Sequence, residues 1–588
     1  MNQLPPLGPQ KDRFTPELRI LAASLLSMVV IILWAKYFGP KAPANVPQDN
    51  KTVQSGPAVA GGNGSSQQAA TQNSAVVSAA TMTAATPANL NIISDSQEKT
   101  TVVENAVVRV EFSNRGAIVR SWKLKNYKDD SKPQRVLDLV HPEAASYTGG
   151  WPFSLVLDDP QLQTAANSGL YKVSGDAASL SAPAEVQFSW SDGHLQIIKK
   201  FRFDNSYVVN VETTATLNGA PLLAGLAWRG GFGDWTVTDP APVAAVNTFY
   251  SENGKLSMFP MKKLDDFSKL SGVWLGGKTF AGIEDRYFTA TFMAPNEAQS
   301  TQLQTRYWKE YHPVQLDGKE QPEPIAAVAA TTAGQPIALR VYVGPKDYDD
   351  LKAMHPPLNS LVQFGYLEFI ADPLFHAMKW LHKYTPNWGW TIVVLTLVIN
   401  MLLFPLRITS YKTTLKIQKI APEVKQINER FKKYKINDPR MADKNKEIMA
   451  LYSREGINPI GGCIPMVLQM PIWFGLNSAL RGAIELRHAS WLWVHDLAVK
   501  DPYYILPIVV GISMYLVSKM TPMGATDPQQ AQMMKLMPIS MSVMFVIFPF
   551  SSGLALYILT SSLVGILQQW YLNRTHPLPA PVKPARAK

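Results

Sequence analysis

Five apolar segments crowd the C-terminal third of this chain, at roughly 388–406, 463–482, 503–520, 537–550 and 553–570. Each has aromatic or basic flanks, and such a series is hard to bury in one soluble core. A helix crossing a hydrocarbon layer of about 30 Å needs about 20 mostly apolar residues. Several of these segments are shorter, and Pro538 and Pro549 bracket an especially short one. A further apolar run, Ile20–Ala35, is broken only by Ser24 and Ser27 and follows Lys11, Arg13 and Arg19. Ala42-Pro43-Ala44 only weakly imitates a cleavage site and lies far past that run, so the run reads as an uncleaved signal anchor at 19–36. The expectation is six spans, five of them forming a core over 388–570.

Charge sets the expected orientation. The segment 407–458 holds 13 Lys and Arg residues, whereas the loop 484–501 has only Arg487 and Lys500. The tail adds Arg574, Lys583, Arg586 and Lys588. Basic residues favour the cytoplasmic side, which places both termini (1–18 and 571–588) and the basic segment inside. Everything between the first two spans then lies outside. Within the basic segment, Val424, Ile427, Phe431 and Tyr434 are spaced 3, 4, 3, and Ile448 and Tyr452 continue the stripe. A helical hairpin over 408–457 with one apolar seam is the expectation. Its basic exterior suits a ribosome, a nascent chain or acidic lipid; it lacks the interleaved aromatics that stack on bases, so no direct reading of nucleic acid is expected.

Composition joins two regimes, since 46% hydrophobic residues are ordinary but 17% charged residues are few. Residues 37–100 are rich in Ala, Gly, Ser, Gln, Asn and Thr and read as a flexible linker. From 101 to 345 the hydrophobic period is two, as in Tyr207, Val209 and Val211 or Ile337, Leu339, Val341 and Val343. Turn residues separate many such runs, which implies an all-β sandwich. Helical spacing returns over 359–384 in Leu367, Ile370, Leu374, Met378 and Leu381, with Lys379, Trp380, His382 and Lys383 beside them. That is the pattern of an amphipathic helix lying in the membrane interface.

Catalytic signals are weak. Gly272–Thr279 fits the phosphate-loop spelling, but its own Val273-Trp274-Leu275 looks like strand and no helix convincingly follows. Glu485, Arg487, His488, His495 and Asp496 read as caps and surface pairs. The single cysteine, Cys463, excludes an intrachain disulfide. No enzyme, cofactor or metal centre is expected. More informative are polar residues within the apolar segments: Thr391, Thr396, Asn400, Gln469, Asn477, Ser478, Ser513, Tyr557, Thr560, Ser561 and Ser562. In hydrocarbon such groups turn toward other helices or toward water. A solute transporter would often show internal repeats, and none is visible; a sugar-binding module would place activity in 101–345 alone.

The stretches NPIGGCIPMVLQMPIWF (458–474), DPYYILPI (501–508), NWGWTI (387–392) and PLRITSY (405–411) resemble the YidC insertase family. So do RVEFSNRGA (109–117), Tyr287-Phe288 and VGPKD (343–347). The resemblance, closest to the long Gram-negative form, implies a polytopic α-helical bundle of six spans with a periplasmic all-β supersandwich, in the inner membrane. It implies insertion and chaperoning of nascent membrane proteins, alone or beside the Sec translocon, through a hydrophilic groove in contact with lipids. Groove residues would be Thr396, Asn400, Gln469, Asn477, Ser513, Tyr557 and Thr560. Asn400 stands where the family has an arginine, and Arg407, two turns further along the same face, is the expected substitute charge at the groove mouth.

Overall fold

The computed structural model describes residues 91–577, except 522–549 and the short stretches 176–177, 238–245, 262–263, 265–273, 297–301, 317–318, 333, 335, 435–437 and 459–463. The signal anchor, residues 37–90 of the linker, residues 537–549 of the short apolar segment and the tail from 578 lie outside the described residues. So do Gly272 and Val273, and with them part of the phosphate-loop spelling.

Among the described residues, strands occupy most of 100–345 and form three sheets. The largest is antiparallel at its centre, where Val208–Leu217 pairs with Leu195–Phe203 on one side and Ile337–Pro345 on the other. Along Val208–Leu217, Val209, Val211, Thr213 and Ala215 are buried while Asn210, Glu212 and Thr214 are less so. That is the two-residue period of one covered face. In Ile337–Pro345 the alternation stops at Val341, and every later residue is buried. Both faces are covered there, with the Tyr207 ring 5.9 Å from that of Tyr342.

Aromatic side chains join the sheets. Phe112, from Val108–Ser113, lies 4.8 Å from Phe201 and 5.6 Å from Phe188. Trp122 lies 6.2 Å from Phe153 and 6.3 Å from Trp228. Burying each such ring contributes on the order of 1.5–3 kcal/mol, before conformational entropy is set against it. Lys199 sits among them fully buried, its Nζ donating to the carbonyls of Gly116, Ala117 and Phe153 at 2.8, 3.2 and 2.8 Å. One amine thus satisfies acceptors from two otherwise separate segments.

Among the described residues, six longer helices follow: α1 Glu368–His382, α2 Trp388–Phe431, α3 Arg440–Arg454, α4 Ile464–Gly482, α5 Ile505–Met520 and α6 Ser552–Thr575. Among the described residues, α2 and α6 have the length and hydropathy to cross a membrane, and α5 is apolar but has only 16 residues. Helix α1 buries Ala371, Phe375 and Met378 and leaves Phe369 and Trp380 exposed. Its covered face shares Met378 with the Leu367–Leu381 stripe and is otherwise offset from it by one position; α1 packs closely on α4, where a Cβ at Gly475 would come within 2.7 Å of Ile370.

Helix α2 runs unbroken through both the apolar segment and the start of the basic one, although it contains Pro405 and Pro422. Each proline removes one backbone bond, and the Thr409 hydroxyl donates to the Pro405 carbonyl at 3.2 Å. Helices α2 and α3 form a hairpin whose seam joins Ile417, Ile420, Val424, Ile427 and Leu451 with Phe431, Ile448 and Tyr452. Tyr434 instead stacks under the Arg440 guanidinium, 3.9 Å from its centre.

In the β region, His141 stacks on Trp235 at 3.8 Å, and burial pulls its pKa down to about 3 despite a 2.9 Å hydrogen bond to the Gly233 carbonyl. A depressed folded pKa means the unfolded chain takes up the proton first. Stability is therefore intact above about pH 6.5 and falls toward pH 3, by up to about 1.4 kcal/mol per pH unit from this residue. Urea melts of the whole protein followed by tryptophan fluorescence at pH 7 and 5 should show the loss, and His141→Gln should reduce it.

Candidate functional site

A backbone group or side chain in hydrocarbon must find its partner within the protein or in a wet cavity. In the helical region the polar side chains do so in two ways. Some fold back on their own helix: Thr396 Oγ1 donates to the Ile392 carbonyl at 2.6 Å, Ser513 Oγ to Val510 at 2.8 Å and Thr560 Oγ1 to Leu556 at 2.8 Å. All three side chains are buried, as are Asn400, Asn477 and Tyr557. A threonine can back-bond within a helix because its hydroxyl reaches the carbonyl four residues earlier.

Others join helices. Gln469 of α4 donates to the Tyr557 hydroxyl of α6 at 2.5 Å. Asn400 of α2 bonds its own Thr396 carbonyl at 2.9 Å and accepts from Ser561 of α6 at 3.3 Å. Gln568 of α6 donates to the Asn400 carbonyl at 3.2 Å and accepts from Arg407 Nη1 at 2.9 Å. Further along, the Tyr411 hydroxyl and Gln569 both donate to Asn573 Oδ1 at 2.9 Å, and Asn573 Nδ2 donates to the Met520 carbonyl at 3.0 Å.

These contacts form a column. Tyr557 and Gln568 are 11 positions apart on α6, or about 16 Å at 1.5 Å per residue, roughly half of a hydrocarbon layer. The structure thus brings Thr396, Asn400 and Arg407 of α2 beside Ser561 and Gln568 of α6, with Gln469 and Tyr557 at one end. Ser513 bonds back to its own helix, and Asn477 is buried outside the column. Gln568, Gln569, Asn573 and Tyr411 are contributors that the hydropathy pattern hides, because they sit where the apolar segments end. Their signal is spacing: 569 and 573 are one turn apart and share a helix face.

The loop joining α4 and α5 does not behave as a solvated surface. Arg487 is buried, ion-paired with Asp234 and bonded to the Lys128 carbonyl at 3.0 Å. His488 Nε2 meets Asp130 Oδ1 at 2.6 Å. Burial pushes the Asp130 carboxyl up, but the His488 contact and the Arg487 charge outweigh it and hold it below its ordinary value. Lys379 of α1 meets Glu485 at 3.0 Å and Asp349 at 2.7 Å. Of the residues read from sequence as caps and surface pairs, Glu485, Arg487 and His488 instead dock the loop against α1 and the β region, whereas His495 is exposed and Asp496 accepts locally from Ala498 N–H. In the phosphate-loop spelling, Lys278 ends a strand and bonds Glu252 at 2.8 Å, and Phe280 begins another strand. No helix N-terminus follows it, as a phosphate cradle requires.

Two family descriptions match the chain: "60Kd inner membrane protein" over residues 380–579 and "YidC periplasmic domain" over 100–377. A relative from Wolinella succinogenes named "Membrane protein insertase YidC" is 30% identical over 98% of this chain and 98% of its own length. One of the same name from Campylobacter jejuni is 42% identical over 40% of this chain and 43% of its own length. A crystal structure described as active YidC insertase with its first transmembrane domain resolved covers 82% of this chain and 94% of its own, at 18% identity and a TM-score of 0.34.

Asn573 holds three partners, so its loss is the sharpest test of the column's end. Asn573→Leu should lower the stability of the detergent-solubilised protein by about 1–3 kcal/mol, the range for a buried polar group left unsatisfied. A thermal melt unchanged from the parent would contradict these contacts.

Proposed function

The chain belongs to the YidC family of membrane protein insertases, and from that premise we propose that its polar column lines a hydrophilic groove through which substrate segments pass into the bilayer. The observation that carries this reading is the cross-helix run Ser561–Asn400–Gln568–Arg407, polar groups joined between two helices otherwise apolar enough for lipid. In this reading the chain crosses the inner membrane six times, with both termini and the α2–α3 hairpin in the cytoplasm and the β domain in the periplasm. The hairpin's exposed basic face meets nascent chains, the ribosome or acidic lipid, and the protein also chaperones and assembles its clients, alone or with the Sec translocon.

The mechanism follows from partitioning. No nucleotide drives it; the work comes from the apolar segment's preference for lipid. What resists is the polar flank, since a central Asp or Lys costs about 2.5–3.5 kcal/mol on insertion scales. Side chains that exchange hydrogen bonds among themselves can exchange them with a passing flank, which lowers that barrier. Helix α5, with 16 residues, spans about 24 Å against a layer of about 30 Å, so the adjacent bilayer thins and the dry distance shortens.

Asn400 supplies hydrogen bonds where the family has a charge. Arg407 supplies the charge from two turns away, half-buried between α2 and α6 and held by Gln568. It lies between the column and the basic hairpin, so an acidic tail meets it on entry. Glutamine in its place would keep the length of the side chain and lose the field.

Insertion into liposomes by the purified protein tests both parts. Thr396→Leu with Asn400→Leu should cut insertion of a small single-span substrate at least tenfold while the melt stays cooperative; full activity in that variant would refute the groove. Arg407→Gln should slow substrates with acidic translocated tails several-fold and spare neutral ones. In a Cys463→Ser background, cysteines at 396, 400 and 469 should react with a water-soluble maleimide; three unreactive positions would mean a dry bundle.

A further inference from the structure

The docking of the α4–α5 loop on the β region gathers an unusual set of side chains. Asp130 comes from the turn after strand Ile118–Lys128, while His488 and Asp496 come from the loop. One carboxylate oxygen from each aspartate and one ring nitrogen of His488 all lie within 4.8 Å of one another, and all three residues are partly buried. We propose that Asp130, His488 and Asp496 form a binding site for a divalent transition-metal ion of the zinc type, which fastens the β region to the loop between the two helices.

Three observations support a cation rather than a bare hydrogen bond. The first is the donor set. One imidazole nitrogen with two carboxylates is a mixed N/O set, suited to zinc and unsuited to the all-oxygen shells that calcium and magnesium prefer. Three protein ligands leave one position of a tetrahedral ion for water.

The second is charge. Around Tyr287 this contact assembles Asp130, Asp496, Arg286 and Arg487, and Arg487 is paired with Asp234, which in turn receives the carboxylate of Asp285 at its backbone N–H. Four carboxylates thus meet two guanidinium groups. Neighbouring charges cancel in pairs, as Lys346 does with Glu284 and Arg135 with Asp129. A dication bound by a neutral His488 would neutralise the two carboxylates that hold it, Asp130 and Asp496.

The third is an orphaned donor. The Arg487 side chain is 3% exposed, and its Nη1 is buried with no hydrogen-bond partner. Its Nη2 lies 3.5 Å from the Asp130 carboxylate. The guanidinium thus borders the proposed site, and a water or hydroxide in the ion's fourth position would offer it an acceptor there. Other contacts hold the ligands in place: Asp130 N–H donates to Thr236 Oγ1 at 2.7 Å, and Asp496 Oδ1 accepts from Ala498 N–H at 2.7 Å.

The test uses tag-free, full-length protein in detergent, stripped with a chelator and titrated with zinc chloride by calorimetry. The expected result is one zinc per chain at micromolar or tighter affinity, weakened at least tenfold by Asp496→Asn and by His488→Gln. Asparagine at 496 keeps the acceptor for Ala498 and removes only the charge. Zinc should also slow hydrogen exchange at 484–501 in the parent. Zinc-edge X-ray absorption of the parent protein keeps the proposal testable should either variant fail to fold. A shell with one imidazole and oxygens at about 2.0–2.2 Å supports it. No saturable binding, equal affinity in both variants, or a shell of several imidazoles would overturn it.

Discussion

Hydrocarbon offers no hydrogen bonds, and that one constraint organises the helical half of this protein. Each polar side chain within it must either fold back on its own helix or reach a neighbour. Thr396 and Thr560 take the first course, and Asn400, Gln469 and Gln568 the second. The second group makes contacts between helices that another polar molecule could replace. A bundle held only by apolar packing would have no such exchangeable contacts, and one held by buried ion pairs would give them up reluctantly. The contacts between α2 and α6 fall between these extremes, since most are neutral amides and hydroxyls.

Much of this was legible in the sequence because the two halves obey different periods. A two-residue alternation marks Val208–Leu217, and a 3,4 spacing of Val424, Ile427 and Phe431 marks the hairpin seam. Other features were not legible. The strand Ile337–Pro345 loses its alternation where both faces are covered, which depends on what packs there and not on the strand itself. Helix α1 buries Ala371 and Phe375, one position beyond the stripe residues Ile370 and Leu374, and this offset depends on the neighbours it meets, α4 among them. Of the polar column, the residues inside apolar runs stood out, while Gln568, Gln569 and Asn573 merged with the polar end of α6. The resemblance pointed to Asn400 as a departure, but only the structure places Gln568 between it and Arg407.

Long-range docking was the least readable part. His488 and Asp130 are 358 positions apart, and nothing local in either sequence announces the other. Read alone, Glu485-Leu486-Arg487-His488 is an ordinary polar loop. Placed against the β region it becomes a buried joint, with Arg487 between Tyr287 and Phe288 and paired with Asp234. The same loop anchors α6 from the other side, where Ser552 and Gly553 N–H groups donate to the carbonyls of Val499 and Leu497 at 2.7 and 2.8 Å. One short segment therefore touches both halves of the molecule.

The continuity of α2 gives the molecule a lever. Its 44 residues make a rod of about 66 Å, with Thr396 and Asn400 near one end and the hairpin seam near the other. The arm from Arg407 to Phe431 is about 36 Å, so a tilt of about 10° there moves the tip by about 6 Å, more than one helical turn. Pro405, where a backbone bond is missing, is the natural fulcrum. Any change in the tilt of that arm is felt along one continuous helix, with no hinge domain between Asn400 and the hairpin seam.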